Sequence, residues 1–199
     1  LDEYAVQLQE TVKHLLTRIH NSSEFMDKLL LDLLAFGKTA RAEIELGPVE
    51  VSRAWESAVF QCANEIEQTQ ATVHACQPLS RVIAHEDTLA QSLANLLSNA
   101  IKFVAPGVRP KARFWAEQRG GSVRLWLQDN GLGIAQNQQQ RVFRVFERLH
   151  GSRYAGTGIG LSIVRKGVER MGGSVGLESE PDKGSRFWIE LPRATGTAS

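Results

Sequence analysis

Three short clusters in this chain carry residue types and spacings that could bind a charged ligand. Asn95 and Asn99 are four residues apart and Lys102 follows three later, so on a helix all three share one face. An amide oxygen suits a hard cation such as magnesium, which keeps most of its waters and takes few protein ligands. A lysine beside it suits phosphate as a point charge. A solvated helix face would show the same residues.

The second cluster is Asp129-Asn130-Gly131-Leu132-Gly133-Ile134. An ionised carboxylate only accepts hydrogen bonds, so a buried one selects a ligand bearing an amine. The glycines let the backbone turn and approach that ligand. Asp-Asn-Gly is also an ordinary turn sequence. The third cluster, Gly156-Thr157-Gly158-Ile159-Gly160-Leu161, opens a helical stretch, where backbone amides attract phosphate. Its spacing is neither the dinucleotide fingerprint nor a P-loop, and a flexible connector would look similar.

The elements that must position these clusters follow from periodicity. Apolar or small residues from Ala5 to Ala40 recur in alternating steps of three and four, a heptad seam that Leu16, Leu30 and Leu34 widen. A stripe this broad fits a helical bundle better than a two-stranded coil, and one arm cannot bury it alone. A homodimer is therefore expected, the alternative being a helix packed on its own domain.

Gly47-Pro48 ends that segment. Val49 to Val51 reads as a strand, with Ser52 as N-cap of a helix over residues 53–68. Strands are expected at Val73–Cys76 and Arg81–Ala84 around a Gln77-Pro78 turn. A strong amphipathic helix follows over Glu86–Phe103. A hairpin spans Lys111–Glu117 and Ser122–Gln128, and helices are expected over Asn137–Arg148 and Ile159–Met171. Ser174–Ser179 and Ser185–Leu191 read as a last hairpin, followed by a flexible tail over residues 194–199. The fold class is α+β, a sheet covered by helices and preceded by a long helix.

Composition excludes several classes. The chain has 199 residues, 42% apolar and 23% charged, with a net charge of +1, an ordinary globular balance that does not suggest a nucleic-acid binder. No apolar run approaches the roughly 18 residues of a membrane span. Cys62 and Cys76 match no zinc or redox spacing and are expected as reduced thiols. The first residue is Leu1, so the chain is read as a processed product or a piece cut from something longer, with an upstream sensor or membrane segment left open.

The series Asn95-Leu-Leu-Ser-Asn99-Ala-Ile-Lys102-Phe103, then Asp129-Asn-Gly131-Leu-Gly133, then Phe143 to Phe146, then Gly156-Thr-Gly158-Ile-Gly160-Leu resembles the N, G1, F and G2 boxes of sensor histidine kinases. By this resemblance residues 45–193 are a catalytic ATP-binding domain, a Bergerat-type α/β sandwich shared with gyrase and heat-shock chaperone ATPases. Residues 1–44 resemble part of a dimerisation and phosphoacceptor hairpin. Residues 10–44 match its second helix and residues 1–4 a stub of the first. The stretch Met26–Val51 is similar to phytochrome-like kinases in particular.

The resemblance implies ATP and magnesium as cofactors. It implies that Asn99 coordinates magnesium, that Lys102 reaches the phosphates, and that Asn95 stands where related ATPases carry a catalytic glutamate. Asp129 would hold the adenine amine in a pocket shaped by Gly131, Gly133 and Ile134, with the Ser185 hydroxyl nearby. Gly156, Gly158 and Gly160 would hinge an ATP lid, a short one in this chain, and with Thr157 and Leu161 would bind the nucleotide. Arg148 or His150 would meet the phosphates, with Phe143 and Phe146 packing the base of the lid. Implied partners are a second copy through the N-terminal helix, a response-regulator receiver domain and an upstream sensor module, in a cytoplasmic setting.

One part of the resemblance is missing. A phosphoacceptor histidine is followed by an acidic residue and then a proline, and none of the five histidines fits: His14 precedes Leu15, His20 precedes Asn21, and His85-Glu86 lacks the proline. The acceptor is expected upstream of Leu1. Two other readings stay open, a catalytically inactive nucleotide-binding dimerisation module and a serine kinase of the anti-sigma type, which usually lacks the long first helix.

Overall fold

A computed structural model describes residues 2–41, 44–147, 154 and 156–194. Helix α1 runs unbroken over Asp2–Arg41. Residues 2–4 therefore stand on the same helix as residues 10–41 and show no separate stub. Among the described residues of α1, Val12, Leu15, Leu16, Ile19, Met26, Leu30, Leu31, Leu33 and Leu34 are between 49% and 67% exposed. The C-terminal domain touches α1 through α6.

Beyond α1 the chain builds a two-layer sandwich. Strand β1 (Gly47–Glu50) pairs antiparallel with β3 (Arg81–Ala84) as a separate ribbon that buries Val49, Val82 and Ala84. The main sheet has the order β2-β4-β5-β7-β6, from β2 (Thr72–Ala75), β4 (Lys111–Arg119), β5 (Ser122–Asp129), β6 (Ser174–Ser179) and β7 (Ser185–Pro192). Only β2 pairs in parallel, against β4, so the sheet is mixed. The helices α2 (Val51–Gln61), α4 (Glu86–Lys102) and α6 (Gly160–Arg170) form the second layer, α4 in the middle.

Alternation decides which sheet face meets that layer. Phe114 on β4, Val123, Leu125 and Leu127 on β5, and Phe187, Ile189 and Leu191 on β7 point inward and are buried. Against them α4 presents Leu89, Leu93, Leu96 and Leu97, each worth about 1.5–3 kcal/mol on full burial. Trp55 of α2 stacks flat on Phe114 with ring centroids 4.2 Å apart, fixing helix layer to sheet.

Three local expectations are corrected, and the two strands expected around Gln77-Pro78 are present. The helix after β1 starts at Val51 with Glu50 as N-cap and no side-chain cap, so Ser52 lies inside it. It breaks at Cys62, and a short α3 (Ala63–Thr69) continues. Strands β2 and β3 flank the cis Gln77–Pro78 peptide but belong to different sheets. The helix expected over 137–148 is only α5 (Gln136–Gln139), followed by turns. Tertiary hydrogen bonds replace it: Phe146 N donates to Gly158 O at 3.0 Å, and Phe146 adopts φ +63°. Arg148, His150 and residues 195–199 lie outside the described residues.

Candidate nucleotide site

The site forms where α4, the loop after β5 and the loop before α6 meet. Asp129 ends β5, with its carboxylate turned to the inner layer. Its Oδ1 accepts from Gly131 N at 2.8 Å and Ser185 N at 2.9 Å. Burial pushes this carboxyl up to about 6, and the two backbone N–H donors pull against that rise. Oδ1 is thus occupied by the protein, and Oδ2 is the oxygen free of those two bonds to take a ligand N–H.

The loop around Asp129 has no room for side chains at two positions. A Cβ on Gly131 would stand 2.5 Å from the Phe103 carbonyl oxygen and 2.9 Å from Asp129 Oδ1. Gly133 has φ +67°, and a Cβ there would overlap the Glu180 carbonyl. Leu132 N donates to Phe103 O at 2.9 Å, and Asp182 N donates to Leu132 O at 2.7 Å. Ile134 is buried, and its N–H donates to Ser179 Oγ at 2.8 Å. The loop is therefore pinned to the end of α4 on one side and to the β6–β7 turn on the other.

Ser185 is buried, but its hydroxyl bonds with Ser179 Oγ at 2.9 Å while its backbone N–H holds Asp129. Ser179 was missed by the sequence reading. The hairpin register pairs Ser179 with Ser185 across the turn, which is the signal that could have found it. Gln139 Nε2 donates to Ile134 O and to Ser179 O, at 3.1 and 2.7 Å, which gives the short α5 its place.

The polar face of α4 looks onto the third cluster. Gly160 begins α6, and a Cβ on it would be 3.4 Å from Asn95 Oδ1. A Cβ on Gly156 would overlap the Lys102 ammonium. Asn95 Nδ2 is buried without a hydrogen-bond partner, a donor aimed at no acceptor of the protein. Asn99 lies one turn on, half-buried. Thr157 is buried with its Oγ1 accepting from Ile159 N at 3.4 Å, and Leu161 packs against the core. The structure thus sets Asn95 against Gly160 and Lys102 against Gly156 along one face of α4, and gathers Asp129, Gly131, Gly133, Ile134 and Ser185 around the loop held by the Phe103 carbonyl.

His85 is a capping residue: its Nδ1 accepts from Thr88 N at 3.3 Å at the start of α4. Among the described residues no cluster of three His, Cys, Asp or Glu could hold a metal ion, and no helix is long and apolar enough to cross a membrane.

Residues 84–195 match the family described as histidine kinase-, DNA gyrase B- and HSP90-like ATPase. The chain is 31% identical over 190 residues to the phytochrome-like protein Cph1 of Synechocystis, covering 95% of this chain and 25% of that protein. It is 30% identical over 189 residues to the sensor-like histidine kinase SenX3 of Mycolicibacterium smegmatis, covering 92% of this chain and 49% of that one. Among solved structures, full-length ShkA in complex with AMPPNP superposes with a TM-score of 0.75 at 29% identity, over 92% of this chain and 39% of that one. The catalytic domain of the histidine kinase ThkA gives 0.63 at 25% identity, over 75% of this chain and 97% of that one. The chain spans about a quarter of the length of the phytochromes it matches.

Proposed function

The chain belongs to the histidine kinase-, DNA gyrase B- and HSP90-like ATPases, and on that basis we propose that it is the ATP-binding kinase core of a sensor histidine kinase, passing the γ-phosphoryl of ATP to a histidine outside this chain. The observation that carries the reading is the juxtaposition of α4 with the glycines before α6. Asn95 and Lys102 face Gly160 and Gly156, while Asp129 sits across Phe103 from them.

Each residue then has a task. Ionised Asp129 accepts the adenine amine through Oδ2, held in orientation by Gly131 N and Ser185 N. Gly131, Gly133 and Ile134 shape the slot. The N–H groups around Gly156, Thr157, Gly158 and Gly160 and the positive end of α6 meet the phosphates, and Lys102 supplies a cation. The orphaned Asn95 Nδ2 fits a phosphate oxygen or an ordered water. The donor set fits a magnesium ion that rides on the nucleotide rather than in a protein cage, with the Asn99 amide oxygen as its protein ligand. When bound, that ion neutralises charge on the transferring phosphoryl group.

Transfer itself depends on positioning, so the acceptor must be delivered to this site. A second copy bound along the α1 stripe would bring the acceptor hairpin, and a receiver domain would take the phosphoryl next. ThkA, which superposes at 22% identity, is seen in complex with the response regulator TrrA, a partner class we extend to this chain. An upstream sensor module and a cytoplasmic setting belong to the same proposal.

The test is direct. The purified chain, given magnesium and γ-labelled ATP, retains nucleotide under native conditions and carries no covalent label on a denaturing gel. Asn99→Ala removes the magnesium-dependent part of that retention. Label on the chain itself would overturn the assignment of the acceptor to another segment. Folded chain that retains no nucleotide would overturn the kinase-core reading.

A further inference from the structure

We propose that Tyr154, fastened to the end of α4 two residues before Gly156, is a positioning residue that sets Gly156 against Lys102. Its hydroxyl donates to the Val104 carbonyl at 2.9 Å, across 50 residues of chain. Its ring lies against Phe103, centroids 5.5 Å apart and planes inclined at 51°. The Phe103 ring also carries the Lys102 ammonium, 4.7 Å from its centroid.

Three consecutive residues at the end of α4 therefore hold both loops of the site. The Phe103 carbonyl accepts from Leu132 N at 2.9 Å and so holds the loop after Asp129. The next carbonyl, on Val104, accepts from Tyr154 and so holds that residue two positions before Gly156. Lys102, one residue earlier, sits where a side chain on Gly156 would collide with it. A tyrosine suits this place because a flat apolar body and a donor at its tip are both used.

The consequence rests on the nucleotide reading above. Adenine is held by Asp129, whose carboxylate is oriented by Gly131 N and Ser185 N. The phosphates are met by Lys102 and the backbone from Gly156 onward, which Tyr154 places. Loosening Tyr154 therefore weakens the phosphate end of the site and spares the adenine end.

The experiment compares wild-type chain with Tyr154→Phe and Tyr154→Leu, titrating each with ATP plus magnesium and separately with adenosine. Tyr154→Phe keeps the ring and loses one neutral hydrogen bond, so ATP binding weakens about two- to tenfold, and Tyr154→Leu weakens it further. Adenosine binding stays unchanged. A fluorine signal gives a second reading that needs no ligand. Tyr4 and Tyr154 are the only tyrosines, so 3-fluorotyrosine in a Tyr4→Phe background yields one resonance, displaced from its position in the urea-unfolded chain. Equal weakening of ATP and adenosine, undiminished ATP binding in both variants, or a resonance at the unfolded position would each overturn the proposal. If wild-type chain bound neither ligand, the nucleotide reading would fall and the resonance alone would decide whether Tyr154 is fastened.

Discussion

At the residue scale, the adenine contact proposed for Asp129 requires its ionised carboxylate, a state the fold disfavours. Burial lifts its carboxyl to about 6 from 3.8. Nucleotide affinity is therefore expected to fall as pH drops through 6, approaching tenfold per pH unit below it, because the protonated acid presents a donor to the adenine amine. Isothermal titration between pH 5 and 8 checks this, and a flat profile would remove Asp129 from the site. The stability of the free chain moves the opposite way. A raised folded pKa means the folded state takes the proton more readily, so the cost of burying this charge is full above about 6 and fades as pH falls toward 3.8. That cost is on the order of 3 kcal/mol for a shift of this size. Asp129→Asn accordingly leaves the free chain at least as stable at pH 7.5 by urea unfolding, while ATP binding drops by about a hundredfold or more, since a buried amide donor then faces the ligand amine. Asp129, Asn95, Asn99 and Lys102 stand out in the sequence because their clusters occur together and in order, although each alone has an ordinary explanation. Ser179 did not stand out, because its role exists only through the pairing that sets it beside Ser185.

At the element scale, the segments that matched expectation are those whose order is internal. Helix α4 has a cap, an acidic first turn and a leucine face, and its start at Glu86 is legible from the sequence alone. Hairpins β4–β5 and β6–β7 carry alternation and glycine turns. The failed helix over 137–148 is the opposite case. It has a helical pattern, yet Phe146 turns to φ +63° to bond Gly158, a contact no local pattern encodes. Two changes probe these elements by chemical unfolding. His85→Ala removes the only side-chain cap on α4 and costs about 1 kcal/mol. Gly133→Ala combines a left-handed backbone with a collision against the Glu180 carbonyl, and costs about 2 kcal/mol or more. If Gly133→Ala were neutral, the loop after β5 would not be held against the β6–β7 turn as described.

At the scale of the whole molecule, the sandwich buries a core of its own while the described leucines of α1 stay exposed. The strand order could not be read along the chain, because β2 reaches β4 across α4 and β7 inserts between β5 and β6. The apolar stripe on α1 could be read, because its spacing is internal to the helix, and a second copy that covers it is the expectation to be tested. Leu16, Leu30 and Leu34 are 62%, 59% and 62% exposed, so lysine at these positions meets no core contact within one protomer. The triple variant Leu16→Lys, Leu30→Lys, Leu34→Lys is therefore expected to fold and to bind nucleotide as the parent does. In a bundle of two copies, however, the same positions are desolvated, and burying an ammonium there without a partner is prohibitive. Sedimentation should show the parent chain as a dimer and the variant as a monomer with unchanged ATP affinity. A parent chain that sediments as a monomer at high concentration would mean the stripe is covered by something other than itself. A variant that stays dimeric would place the contact between copies on the sandwich, and α1 would then lose its proposed role in bringing the acceptor histidine to Lys102 and the phosphate end of the site.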